Sequence, residues 1–393
     1  MGGKWYGLRA RRGRKGGPGR GSGETHAPVP FKPLPARRLL VHGCWLLALA
    51  ATACRGLPPG VPHPEHLPLG PAAWRAEGER LPARAAPDPL LAGWTRVDDL
   101  HYVAPEDADA YAQGLVRVGA DLVPRAQPLP TETPVEGGHV LRTDHVLLRT
   151  NVSYELALDV AREAELHVQR VFEAWGEALD IRFPADAVVV LLMATREEFA
   201  MHLAHRVAEP VGWGAFYDAT TGIVNVCAEP APRGALPWTA DLRHEMTHQL
   251  LDLSRPPRRR GQAFGAPWFW LWEGIAVHAE QLGDTGPRPT NVARYGRFRR
   301  RLYMGQWAPL RDLVAREARD FEGRHYDQTA SWMSVLLTAD DPARTARVLQ
   351  AVRDLLAGRS PGTVEAIVGR SLEAEEAAWL ETWRSRFGRR RPR

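Results

Sequence analysis

His244-Glu245-Met246-Thr247-His248 sets two imidazoles four residues apart around a glutamate. On an α-helix that spacing brings both rings to one face, where they converge on a single metal ion while Glu245 points at a water bound to it. A catalytic zinc takes three protein ligands and keeps one position open, so a third ligand is expected downstream. Glu273 lies in Trp270-Leu271-Trp272-Glu273-Gly274-Ile275-Ala276, with twenty-four residues between it and His248. A zinc ion and an adjacent carboxylate together activate water for hydrolysis.

These residues need helices to carry them. Thr239 or Asp241 suits the start of a helix, and Leu242, Met246, Leu250 and Leu253 give it an apolar face. Pro267 reads as the first helical position of a second helix, the one that carries Glu273. Upstream, 139–150 alternates apolar and polar residues as a half-buried strand pair, and Ser153 opens a long amphipathic helix to about 179. A buried-type strand follows over 187–193 and a helix over 196–205. Two β-prone runs, 213–217 and 223–227, flank Asp218-Ala219-Thr220-Thr221-Gly222 and read as a hairpin. Helices are expected over 290–304, 326–338, 342–356 and 372–387. The fold class is therefore α+β, with a cleft between the hairpin lobe and the helical lobe as the expected substrate site.

An HExxH motif followed by W-x-x-E-G-x-A resembles the gluzincin zinc peptidases, most closely the peptidase-MA-like domains of bacterial exported proteins. The resemblance covers roughly 139–386 and is specific at the two motifs. It implies a thermolysin-like core with a small β-sheet lobe, the HExxH helix and a helical C-terminal lobe. It makes His244, His248 and Glu273 the zinc ligands and Glu245 the general base of a metallopeptidase. The segment from His325 resembles the tyrosine segment that follows the zinc helices, which offers Tyr326 as the oxyanion donor and His325 as second choice; a tyrosine that only packs its helix accounts for the same residues. Strand 212–217 would align an extended peptide, although packing alone explains Trp213 and Phe216. Thermolysin-like members carry an Asp four residues after the third ligand, where this chain has Val277. Asp241, Asp252 or a backbone group is then the expected partner of a ligand histidine. His278 reads as an ordinary helix residue rather than a ligand, and 254–265 as an exposed basic loop.

Of the 393 residues 44% are hydrophobic and 25% charged, enough for a sizeable core. The three cysteines, Cys44, Cys54 and Cys227, offer neither a disulfide framework nor a zinc-finger spacing. With the whole chain at +5, residues 1–53 at +9 and six arginines after Trp383, residues 54–383 sum to −10. Basic charge confined to the ends argues against a nucleic-acid partner. Residues 1–36 read as a basic disordered extension or a mis-set start, and 37–54 as an export signal whose Ala51-Thr52-Ala53-Cys54 end resembles a lipobox. Cys54 is then the lipidation site of an envelope lipoprotein, with simple secretion as the alternative. Residues 55–138 read as a Pro/Gly-rich linker with one possible short helix, 139–388 as the catalytic domain, and 389–393 as a basic tail. Peptide or protein is the expected substrate and Zn2+ the expected cofactor. An idle scaffold of the same fold, or a zinc hydrolase of another amide or ester, would present the same motifs.

Overall fold

The structure, a computed structural model, describes residues 91–388 except 92, 130–132, 182–186, 205–213, 230–237, 283–291 and 339, all within the unit Glu79–Arg393. The expected extension 1–36, the signal with Cys54, the linker up to residue 90 and the tail 389–393 lie outside the described residues. Among the described residues no helix is long and apolar enough to cross a membrane.

In chain order the elements are β1 (Thr95–Arg96), β2 (Tyr102–Val103), α1 (Ala108–Ala112), β3 (Leu115–Val118), β4 (Asp121–Pro124), β5 (His139–Arg142), β6 (Val146–Thr150), α2 (Tyr154–Leu179), β7 (Val188–Met193), α3 (Arg196–Leu203), β8 (Ala215–Asp218) and β9 (Ile223–Cys227). Helices follow: α4 (Trp238–Leu253), α5 (Phe269–Ala279), α6 (Val292–Tyr303), α7 (Leu310–Val314), α8 (Gly323–Leu336), α9 (Pro342–Ala357), α10 (Val364–Val368) and α11 (Leu372–Gly388). The chain is α+β, with a mixed sheet in the order β1-β2-β5-β6-β7-β9-β8. The β6, β7 and β9 strands run parallel, the other pairings are antiparallel, and β8 forms one edge.

Within the expected linker the short helix is present as α1, and strands flank it over 95–124. There β1 and β2 extend the sheet through Tyr102 opposite Arg142, and β3 and β4 form a separate hairpin. Polar groups make these anchors, which is why composition hides them. The buried His101 ring bonds the Tyr154 hydroxyl at 2.8 Å and Asp98 at 2.8 Å, and Tyr102 donates to Asp144 at 2.7 Å.

Ser153 opens α2 as expected, its hydroxyl accepting from Leu156 N–H, a cap that contributes about 1 kcal/mol. Ala157, Val160, Ala164, Val168 and Val171 recur at helical spacing and are fully buried in the main core. Period two then divides β7: Val188, Val190 and Leu192 join α2 in that core, while Leu191 and Met193 meet Phe199 and Leu203 of α3 on the opposite face.

The HExxH helix α4 buries Leu242, Met246 and Leu250, with Leu253 half-buried. Its buried polar residues fix its position. Arg243 donates to Glu163 of α2 and, at 2.8 Å, to the Glu280 carbonyl just past α5. Burial pushes the His167 imidazole well below its ordinary value, so the ring is neutral. Because the Thr247 hydroxyl donates to the Arg243 carbonyl, His167 Nε2–H is the donor to Thr247 Oγ1 at 2.9 Å. Gln249 donates to the Gly222 carbonyl at the hairpin turn, 2.6 Å away, where Gly222 takes a positive φ of 72°.

The α5 helix starts at Phe269, and Pro267 sits in the preceding turn rather than at the first helical position. Trp270 stacks on Trp332 of α8 with ring centres 4.4 Å apart, both side chains fully buried. Gly274 makes this crossing close, since a Cβ there would meet Met333 Cγ at 2.8 Å and Thr329 Cγ2 at 3.1 Å. A Gly274→Val variant should therefore lose roughly 1–3 kcal/mol in chemical denaturation, the usual cost of an overpacked core. Unchanged stability would mean that the crossing has slack.

Candidate metal centre

α4 and α5 bring His244, His248 and Glu273 together, all buried, and they form a group that could hold a metal ion. His244 Nε2 lies 3.1 Å from His248 Nε2 and 3.2 Å from Glu273 Oε2, and His248 Nε2 lies 3.4 Å from the same oxygen. A tetrahedral ion with bonds near 2.0–2.1 Å separates its ligand atoms by roughly 3.3 Å, so this triangle has the size of one face of such a site. Two ring nitrogens and one carboxylate oxygen aimed at a single point also fit a borderline cation by donor type.

Charges are set against one another here. Burial opposes charge on His244, but the Glu273 and Glu280 carboxylates push its imidazole up to about 10. Burial likewise raises Glu273, and His248 and His244 outweigh it and hold the carboxyl down to about 2. The proton held on His244 is what a dication would displace, so metal affinity falls as the pH is lowered.

Glu280 is the residue that sequence reasoning missed. Its Oε1 lies 3.0 Å from His244 Nδ1, and Arg294 grips both of its oxygens at 3.0 and 2.7 Å. Neither carboxylate expected in this role fills it. Asp252 accepts from the Tyr217 hydroxyl at 2.9 Å and from Arg255 at 2.7 Å. Asp241 packs against Gly214, where no side chain would fit, and burial with the nearby Glu280 charge pushes its carboxyl up to about 7. The signal for Glu280 was its spacing: seven residues past Glu273 is two helical turns, the same face, one turn beyond Val277. Carboxylates behind ligand histidines typically contribute 10–100-fold to metal affinity, so Glu280→Gln should weaken zinc binding by about that factor in a chelator competition. An unaltered affinity would reduce Glu280 to a structural ion pair with Arg294.

His248 is held by stacking. Trp272 lies nearly parallel to its ring at 4.8 Å, and Phe264 packs tilted against Trp272 at 4.7 Å. His248 Nδ1 is buried with no partner among the described residues. His278 lies away from the group, tilted against Trp175 at 6.1 Å.

Glu245 is fixed by the edge strand, with the Tyr217 N–H of β8 donating to its Oε2 at 2.8 Å. Tyr326 brings its ring within 6.2 Å of His244, and its hydroxyl bonds no described residue. Burial, with Glu273 and Glu245 nearby, pushes its phenol above the ordinary value, so it remains a proton donor. His325 is corrected: its Nδ1 accepts from Glu322 N–H at 2.8 Å and closes a capping box at the start of α8, away from the metal group. Glu245, Tyr326, His244, His248 and Glu273 line one cavity of about 1410 Å³. Ala215–Asp218 and Phe264 line it too. The loop 254–265 is thus not merely solvated, for Arg255 is buried and Gly261 N–H donates to Asp252. Trp213 of the expected aligning strand lies outside the described residues.

No protein-family model matches the chain, and no curated protein matches it.

Proposed function

We propose that this protein is a zinc-dependent metallopeptidase with a gluzincin-type core. The observation that carries the reading is the ligand triangle of His244, His248 and Glu273, with Glu245 beside it on the wall of a cavity large enough for several residues of peptide. Zinc, when bound, polarises a scissile carbonyl and acidifies a water. Glu245 takes the proton of the attacking water and hands it to the leaving amide nitrogen. The hydrogen bond from Tyr217 N–H to Oε2 orients that carboxylate and leaves its other oxygen to accept the proton. The Tyr326 hydroxyl supplies a hydrogen bond to the oxygen on which charge develops. As an edge strand beside Glu245, β8 offers backbone groups for an extended substrate. Export, and anchoring to an envelope membrane at Cys54, belong to this reading on sequence grounds alone, since that segment lies outside the described residues.

The test is incubation of the zinc-loaded protein with a mixed peptide library. New amino termini read by mass spectrometry, absent for Glu245→Gln, are expected; no cleavage beyond that variant would overturn the reading.

A further inference from the structure

Five arginines line the cavity that holds the metal group, and four of them have a carboxylate each. Arg255 bonds Asp252, Arg294 bonds both oxygens of Glu280, Arg297 bonds both oxygens of Asp327, and Arg324 bonds Glu322. Arg301 differs. It places one N–H on Asp327 Oδ2 at 2.6 Å, on a carboxylate that Arg297 already engages bidentately. Among the described residues its Nε and second terminal nitrogen have no acceptor, and its side chain is 27% exposed. The cavity wall thus carries a guanidinium that shares its one carboxylate with Arg297 and whose fork is largely unspent.

Its placement gives that charge a use. Asp327, fully buried, adjoins Tyr326 in α8, and Arg294 reaches both, with its guanidinium 4.0 Å from Asp327 and 6.0 Å from the Tyr326 ring centre. Arg301 therefore lines the same cavity as Tyr326 and is tied to the residue that follows it in α8. A planar fork of donors in a half-desolvated wall is matched by a carboxylate, which accepts two parallel hydrogen bonds and neutralises the excess charge. Arg294, Arg297 and Arg324 each set two nitrogens on a carboxylate, whereas Arg301 sets one.

We infer that Arg301 forms a subsite in this cavity for a carboxylate of the substrate peptide. The inference rests on the peptidase reading for its function but not for its binding chemistry. The carboxylate comes either from a Glu or Asp side chain or from a free peptide C-terminus, and one experiment separates these sources. Zinc-loaded full-length protein is given N-acetylated heptapeptides of Ala, Gly and Leu. One set scans a single Glu against Gln through every position with an amidated end, and a second compares a free C-terminal carboxylate with the carboxamide.

The expected result is a preference for the acid of roughly tenfold to a hundredfold in kcat/KM, the value of a charged hydrogen-bonded contact. It should be confined to one or two adjacent positions, or to the C-terminal pair. Arg301→Gln should remove the preference, and Arg301→Lys, which keeps the charge without the fork, should keep part of it. Equilibrium binding of the same peptides to the Glu245→Gln protein gives a reading that needs no turnover. If no peptide is cleaved but the acid is still bound more tightly through Arg301, the peptidase reading fails and the subsite stands. If wild-type protein treats acid and amide alike in cleavage and binding, or Arg301→Gln leaves the preference intact, the subsite is overturned.

Discussion

Replacing Glu245 by Gln should lower peptide hydrolysis by about 10²–10⁴-fold while zinc stays bound, since removal of a positioned general base costs about that much. The expectation follows from position. Glu245 shares α4 with both histidines but is not one of the three groups that converge; it lies beside them on the cavity wall. Gln preserves the hydrogen bond from Tyr217 N–H, because its carbonyl oxygen accepts in the same place, so the local structure is retained and the basic oxygen alone is lost. Activity and metal content, measured on one preparation, separate the roles. Lost activity at full zinc content is the expected pair. Retained activity would assign the water-activating step elsewhere and leave the motif as a metal site without hydrolytic use of its glutamate.

Ligand removal is the second large effect. Structural zinc sites of four ligands carry about 10–16 kcal/mol, or roughly 3 kcal/mol per ligand, and each 1.4 kcal/mol is tenfold. His248→Ala and Glu273→Ala should each weaken zinc by about a hundredfold or more. The two differ in what they leave behind. His248→Ala removes the ring that Trp272 stacks upon and opens a space beside Trp272. Glu273→Ala takes away the carboxylate facing both imidazoles, so His244 keeps only Glu280 as its ionic partner. Both variants should lose activity together with metal, in contrast to Glu245→Gln.

The three residues of the candidate metal centre were legible because the proposed chemistry imposes a spacing. Two imidazoles four apart can meet one ion only on a helix, and Leu242, Met246 and Leu250 at helical period give that helix a face to bury. Ser153, the β7 run and the Gly222 turn were legible for similarly local reasons. Glu280 was not, since its role depends on the angle between α4 and α5, which Arg243 fixes by reaching from one helix to the end of the other. The segment 91–138 escaped because it is held by His101, Tyr102 and Tyr154 hydrogen bonds between distant residues, while its composition is that of a linker. His325 stayed open as second choice to Tyr326 because the two are adjacent at one helix start, and only packing against Phe321 and the Glu322 backbone marks His325 as the capping residue. Arg301 stands out only once its neighbours are paired off, an accounting that needs three-dimensional contacts.

Metal content is the most direct test of the central claim. The full-length protein, dialysed against buffered zinc and analysed by elemental mass spectrometry beside His248→Ala and Glu273→Ala, should hold one zinc per chain, and both variants should lose it under the same conditions. A folded wild-type protein that takes up no zinc, or variants that retain it, would contradict a centre built from His244, His248 and Glu273.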